Sequence, residues 1–197
     1  MPNQNVHLEN KPSNASGMCG LPDGERQLLA ECLDGHRDAQ QKLYEQHCDK
    51  VYRLMCRMVG SSNADDLTQQ VFLCVFQKLN KFQGRSSFST WLYRLASNEA
   101  LQFLRRRPQR VPDQPMLSDP SDEQTDEITQ LDQRDLLEHA LSRLDPDLRA
   151  IILLREIEQL SYYEIALALD IAEGTVASRL SRARHCLRKL IDEAANS

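Results

Sequence analysis

The sequence predicts an all-α protein of two small helical domains joined by a flexible acidic linker, the second containing a helix-turn-helix. Three observations carry that prediction. Apolar residues recur three and four apart through most of the chain, and only seven glycines interrupt 197 residues, a pattern that suits helices rather than sheet. A proline-containing acidic stretch divides the chain, whose length exceeds one typical domain of roughly 100–150 residues. Two helix-start signals, Asp145-Pro146 and Ser161 with Glu164, stand in the second half.

Residues 1–23 are polar and rich in Asn, Pro and Ser, a composition that reads as a disordered tail. Residues 24–107 hold four apolar stripes at helical spacing: Leu28, Leu29, Cys32 and Leu33; Leu43 to Val59; Leu67 to Leu79; Trp91 to Leu104. Four packed helices follow. Pro108, Pro112, Pro115 and Pro120 then forbid helix continuation, and residues 108–126 read as a linker. From Pro108 to Asp135 there are eight acidic residues against two arginines, a local charge of −6 in a chain of net charge −5. The remainder is therefore near neutral, and its basic faces are masked in the total.

Residues 127–194 form the second domain. Ile128, Leu131, Leu136, Leu137, Ala140, Leu141 and Leu144 give an amphipathic stripe. Asp145 as N-cap with Pro146 at the first helical position starts the next helix, expected from Asp147 to about Glu158. Ser161 and Glu164 form a capping box for a third helix carrying Ile165, Ala166 and Leu169. Ala172-Glu173-Gly174 is read as the turn, with glycine supplying the backbone freedom, and Thr175 as the start of the last helix. On that helix Val176, Leu180, Ala183, Leu187, Leu190 and Ile191 share one face. Ser178, Ser181, Arg182, His185 and Lys189 point away from it, and from Thr175 to Leu190 every charged residue is basic. A basic helix following a turn suits a phosphate backbone and a groove.

Other classes find little support. No stretch approaches the ~18 apolar residues of a membrane span, and the polar start lacks the apolar core of a signal peptide, so a cytoplasmic chain without membrane insertion is expected. The six cysteines lack C-x-x-C or zinc spacing, which leaves reduced thiols and no metal as the expectation. No nucleophile triad or phosphate-binding glycine loop stands out, and neither catalytic residues nor cofactors are expected.

Taken together, LYEQHCDKVYRLMCRMVG, DDLTQQVFLCVFQKL, FQGRSSFSTWLYRLASNEALQFLRRR and LDPDLRAIILLREIEQLSYYEIALALDIAEGTVASRLSRARHCLRKL resemble the extracytoplasmic-function (ECF) class of bacterial RNA polymerase sigma factors. The resemblance implies a promoter-specificity subunit, not itself an enzyme. It would bind core RNA polymerase through the largest subunit's clamp helices and the flap, and read promoter DNA; the class is commonly held inactive by an anti-sigma factor. Residues 24–107 would be region 2 and residues 127–194 region 4. By that resemblance Asp65, Asp66, Gln69 and Gln70 face the polymerase, with Leu67 and Phe72 shaping the surface. Gln70 stands where the family usually carries an acid.

The resemblance further makes Lys81, Phe82, Gln83, Gly84, Arg85, Ser86 and Ser87 the loop that captures an unstacked base of the −10 element, with Arg94 and Asn98 lining the strand's path. Capture of this kind stabilises melted DNA at a cost of only a few kcal/mol. The last helix would enter the major groove of the −35 element, Ser178, Ser181 and Arg182 reading bases beside Arg179. Glu173, Gly174 and Thr175 would offer amides to a phosphate. Ala177 replaces a Lys or Arg common there. The acidic linker would thread basic channels of the polymerase. The competing reading is a two-domain helix-turn-helix regulator that never joins core polymerase; the segments DDLTQQVF and FQGRSSFSTWLYRLASNEA argue against it.

Overall fold

A computed structural model describes residues 20–106 and 136–195, in which every regular element is a helix, with no strand among them. The first bundle comprises α1 (Asp23–Leu33), α2 (Arg37–Val59), α3 (Ser61–Lys78) and α4 (Phe88–Arg106), with a single 3₁₀ turn at Leu79–Lys81. These are the four helices expected from the apolar stripes. α3 and α4 both pack against α2, burying Val51, Met55 and Met58 against Val71, Phe72, Val75, Leu92 and Ala96. Gly60, at φ 90°, lets α2 and α3 meet in a sharp corner.

The second bundle comprises α5 (residues 136–143 within the described chain), α6 (Pro146–Ile152), α7 (Tyr162–Leu169) and α8 (Glu173–Ala195). Asp145 caps α6 as expected, its carboxylate accepting from the amides of Asp147 at 3.0 Å and Leu148 at 3.3 Å. The helix then departs from expectation. Instead of running regularly to Glu158, it widens into a π turn over Leu153–Ile157, where Glu158 N–H donates to Leu153 O. Arg155 helps hold this wider turn by donating to Leu160 O at 2.8 Å. The proposed tail up to residue 19, the linker and residues 127–135 lie outside the described residues.

The two bundles pack together through α4 against α7, and through α6 against α2 and α4, so one apolar core is continuous between them. At the boundary Arg149, only 7% exposed, donates to Met58 O at the end of α2 at 2.6 Å, to Leu144 O at 3.0 Å and to Ser142 O.

Candidate nucleic-acid and polymerase interface

The helix-turn-helix is assembled from its caps inward. Ser161 Oγ accepts from Glu164 N–H, while Glu164 Oε2 accepts from Ser161 N–H at 2.9 Å and from its hydroxyl at 2.7 Å, the reciprocal capping box expected. These donors, with Thr90, hold the Glu164 carboxyl below its ordinary pKa. The turn itself differs from expectation. Asp170, at φ 54°, supplies the left-handed residue that ends α7, and Ala166 O accepts from Ile171 N–H at 3.1 Å. Aspartate is among the few side chains enriched in that conformation. Gly174 has no positive φ; it lies in the first turn of α8, which starts two residues earlier than expected, at Glu173.

Val176, Leu180 and Ala183 are fully buried beneath α8, and Leu187, Leu190 and Ile191 are partly so. Ser178, Arg179, Ser181, Arg182, His185 and Lys189 are exposed on its other side. Arg184 is tied to Glu156 by two contacts, of 2.7 and 3.1 Å, which fasten α8 to the π turn. Two of the expected DNA contacts are engaged internally. Thr175 N–H donates to Ala172 O at 2.8 Å, so its amide is not offered to a phosphate, whereas Glu173 and Gly174 stand exposed at the helix start. Ser178 Oγ donates to Thr175 O at 2.9 Å, leaving its lone pairs as acceptors.

In the first bundle, the loop before α4 exposes Lys81, Gln83, Arg85 and Ser87, with Gly84 and Ser86 half-buried. Gly84 turns the loop at φ 64°. Phe82 differs: at 3% exposure it is core, its ring 5.3 Å from Trp91 and 5.8 Å from Phe88, and it anchors the loop rather than presenting an aromatic face. Ser87 is the N-cap of α4, its hydroxyl accepting from Thr90 N–H at 3.1 Å and lying 2.8 Å from Thr90 Oγ1. Arg94 and Asn98, one helical turn apart, are both exposed on α4.

On α3, Asp65, Asp66, Gln69 and Gln70 are exposed, while Leu67 and Phe72 are buried at 4% and 2% and can only support that surface from beneath. Sequence reasoning missed Leu73, 62% exposed on the same face as Asp66, Gln69 and Gln70. Spacing of three and four residues was the signal that could have found it.

Among the described residues the cysteines are free and no cluster of His, Cys, Asp or Glu is arranged to hold a metal. Burial pushes the Cys32 thiol up to about 11, with Glu31 adding to the effect; burial also raises the thiols of Cys48 and Cys56. A raised pKa depletes the reactive thiolate. No described helix is long and apolar enough to cross a membrane.

Two bundles, one with a capped loop leading into an arginine-bearing helix and one with an exposed basic recognition helix, define a nucleic-acid-directed helical protein of sigma-factor architecture. Comparison with known proteins agrees with that class. Sigma-70 region 2 matches residues 43–110 and sigma-70 region 4 matches residues 134–187. The ECF RNA polymerase sigma-E factor of Haemophilus influenzae is 32% identical over 180 residues, covering 85% of this chain and 95% of that protein. The ECF RNA polymerase sigma factor SigE of Mycolicibacterium smegmatis is 39% identical over 159 residues, 75% of this chain but 59% of that longer relative. In solved structures, CnrH in complex with the cytosolic domain of CnrY superposes with a TM-score of 0.63 at 25% identity, covering 87% of this chain and 99% of that one. The sigma factor RpoE of Bartonella quintana, in complex with the anti-sigma factor NepR, shares the fold with a TM-score of 0.64 at 22% identity, covering 77% of this chain and 96% of that one.

The chain belongs to the ECF RNA polymerase sigma factors. Members of this family are non-catalytic transcription initiation factors; as one of them the chain binds core RNA polymerase, directs it to specific promoters and promotes DNA opening.

Proposed function

We propose that the labour of initiation is divided among three surfaces of this chain. The exposed face of α3, Asp65, Asp66, Gln69 and Gln70 together with Leu73, docks on the polymerase clamp helices, with Leu67 and Phe72 supporting it. The loop at Lys81, Gln83, Gly84, Arg85, Ser86 and Ser87 captures the −10 non-template strand, which then runs along Arg94 and Asn98. Ser178, Ser181, Arg182 and Arg179 read the −35 duplex, with Glu173 and Gly174 near a phosphate.

The observation that carries this reading is the outward face of α8. Its serines and arginines are exposed together, and no acidic residue lies between Thr175 and Leu190. Arginine in bidentate contact with guanine gives about 1–3 kcal/mol of discrimination.

We further infer that residues 1–23, 24–107, 108–126 and 127–194 are tail, region 2, linker and region 4. The linker's acidic charge suits basic polymerase channels. The protein acts in the cytoplasm without enzymatic activity of its own. An anti-sigma factor is a fitting partner, because the superposed CnrH and RpoE are each described in complex with a second protein, named as an anti-sigma factor in the RpoE case.

Run-off transcription from a randomised promoter pool, with purified core polymerase and this protein, tests the reading. Arg182→Ala should lower promoter use at unchanged core binding, and Asp66→Ala with Gln69→Ala should lower core binding at unchanged duplex affinity. If both sets of changes harm only duplex binding, the chain works as an ordinary regulator and the division fails.

A further inference from the structure

The base-capture loop is held at both ends by rings. Phe82 closes one end, and Phe88, wholly buried as the first residue of α4, closes the other. The two rings meet edge to face at 5.8 Å and 86°, and Trp91 lies 5.3 Å from Phe82 and 5.7 Å from Phe88. These three rings fix the shape of the loop relative to α4. His47, half-buried on α2, ties them to the helix on which α3 and α4 both pack. Its imidazole stands 5.2 Å from Phe88 at an interplanar angle of 61°, an edge-to-face contact.

His47 also borders an open cleft of about 390 Å³ between α1 and α2, lined by Glu25 and Leu28 of α1 and by Lys42 and Gln46 of α2. The charged groups around it are therefore Glu25 from α1 and Lys42 and Lys50 from its own helix, while α4 offers the uncharged ring of Phe88. Burial holds the His47 pKa below the ordinary histidine range, with the charge of Lys50 adding to the effect. The neutral imidazole is thus the form that packs on Phe88. We propose that His47 is a positioning residue for promoter opening: its ring sets the start of α4 and, through Phe88 and Ser87, the stance of the loop that captures the −10 strand. The inference rests on the reading of Lys81 to Ser87 as the strand loop, and it gives α2 a part in opening.

Protonation would give the ring a charge that the water of the cleft and the Glu25 carboxylate favour over Phe88. The support is therefore fully present above the ordinary histidine range and is lost as pH falls through the lower, folded value. Holoenzyme is assembled from core polymerase and full-length wild type, His47→Ala, His47→Phe, or the loop variant Lys81→Ala with Arg85→Ala. All are compared on a promoter recovered from the run-off selection, between about pH 8 and about pH 5. Permanganate reactivity of −10 thymines reads opening, with core binding and −35 duplex affinity measured alongside. His47→Ala should open about tenfold less promoter at the alkaline end, with both affinities unchanged. His47→Phe keeps a ring that cannot ionise and should restore opening. The ratio of wild-type to His47→Phe opening, which cancels the pH response of the polymerase itself, should fall with acid.

A ring that merely filled space would lower thermal stability and leave that ratio flat. A flat ratio therefore overturns the positioning role, as does an alanine variant that opens like wild type while the loop variant is impaired. A loop variant that opens normally defeats the strand-loop reading, and the inference with it. If His47→Ala loses helicity, the comparison of wild type with His47→Phe, which both keep the ring, decides alone.

Discussion

Arg149→Met should destabilise the folded chain by about 2–4 kcal/mol, and the figure follows from what surrounds the guanidinium. Three carbonyl oxygens, of Met58, Ser142 and Leu144, accept from it, and among the described residues no carboxylate forms an ion pair with it, although the nearby charge of Asp145 favours its charged form. Hydrogen bonds to a charged donor contribute about 1.5–3 kcal/mol each. Burial opposes them, pulling the Arg149 pKa down to about 10, a penalty on the charged form of about 3 kcal/mol. The carbonyl bonds exceed that penalty, and methionine would leave three acceptors dry in a site only 7% exposed. Urea unfolding followed by far-UV circular dichroism and by the fluorescence of Trp91, the sole tryptophan, measures the loss. Because one bond reaches Met58 in the first bundle, the two signals should separate in the variant and coincide in the wild type. Arg149→Lys should fall between, since an ammonium lacks the planar fork of donors with which the guanidinium reaches three carbonyls. A loss under about 1 kcal/mol for the methionine variant would refute the argument, because the bonds would then barely offset desolvation.

Three further outcomes are expected. Glu164→Gln should lower stability by about 1 kcal/mol at neutral pH through the weakened cap. The Glu164 pKa is lower folded than unfolded, so its contribution is present above the ordinary carboxylate range and is lost as pH falls through the folded value; acid titration of both proteins should show their difference shrinking, and a constant gap would contradict the linkage. Gly84→Ala, at φ 64°, should cost about 1–2 kcal/mol in thermal unfolding, with asparagine better tolerated; an alanine variant as stable as wild type would show that the loop relaxes freely. Leu73→Ser should leave stability within about 0.5 kcal/mol of wild type yet weaken assembly with core polymerase in a competition assay, and unimpaired assembly would remove Leu73 from the docking face.

Much of this was legible in the residue pattern because helices repeat. The apolar stripes placed α1 to α4, the caps Asp145 and Ser161 started α6 and α7 where expected, and the wheel sorted Val176 and Leu180 from Ser181 and Arg182. What escaped depends on neighbours distant in the chain. Phe82 counts in the sequence as one of the loop residues until Phe88 and Trp91 close around it and make it core. Leu73 hides among Val71, Phe72, Val75 and Phe76, although the exposed Asp66, Gln69 and Gln70 share its face. Gly174 drew attention as the turn residue because glycine tolerates positive φ most easily, yet aspartate at position 170 serves, having a short side chain suited to that region. The π turn at Leu153–Ile157 leaves no periodic trace, since its wider ring shifts the register only once.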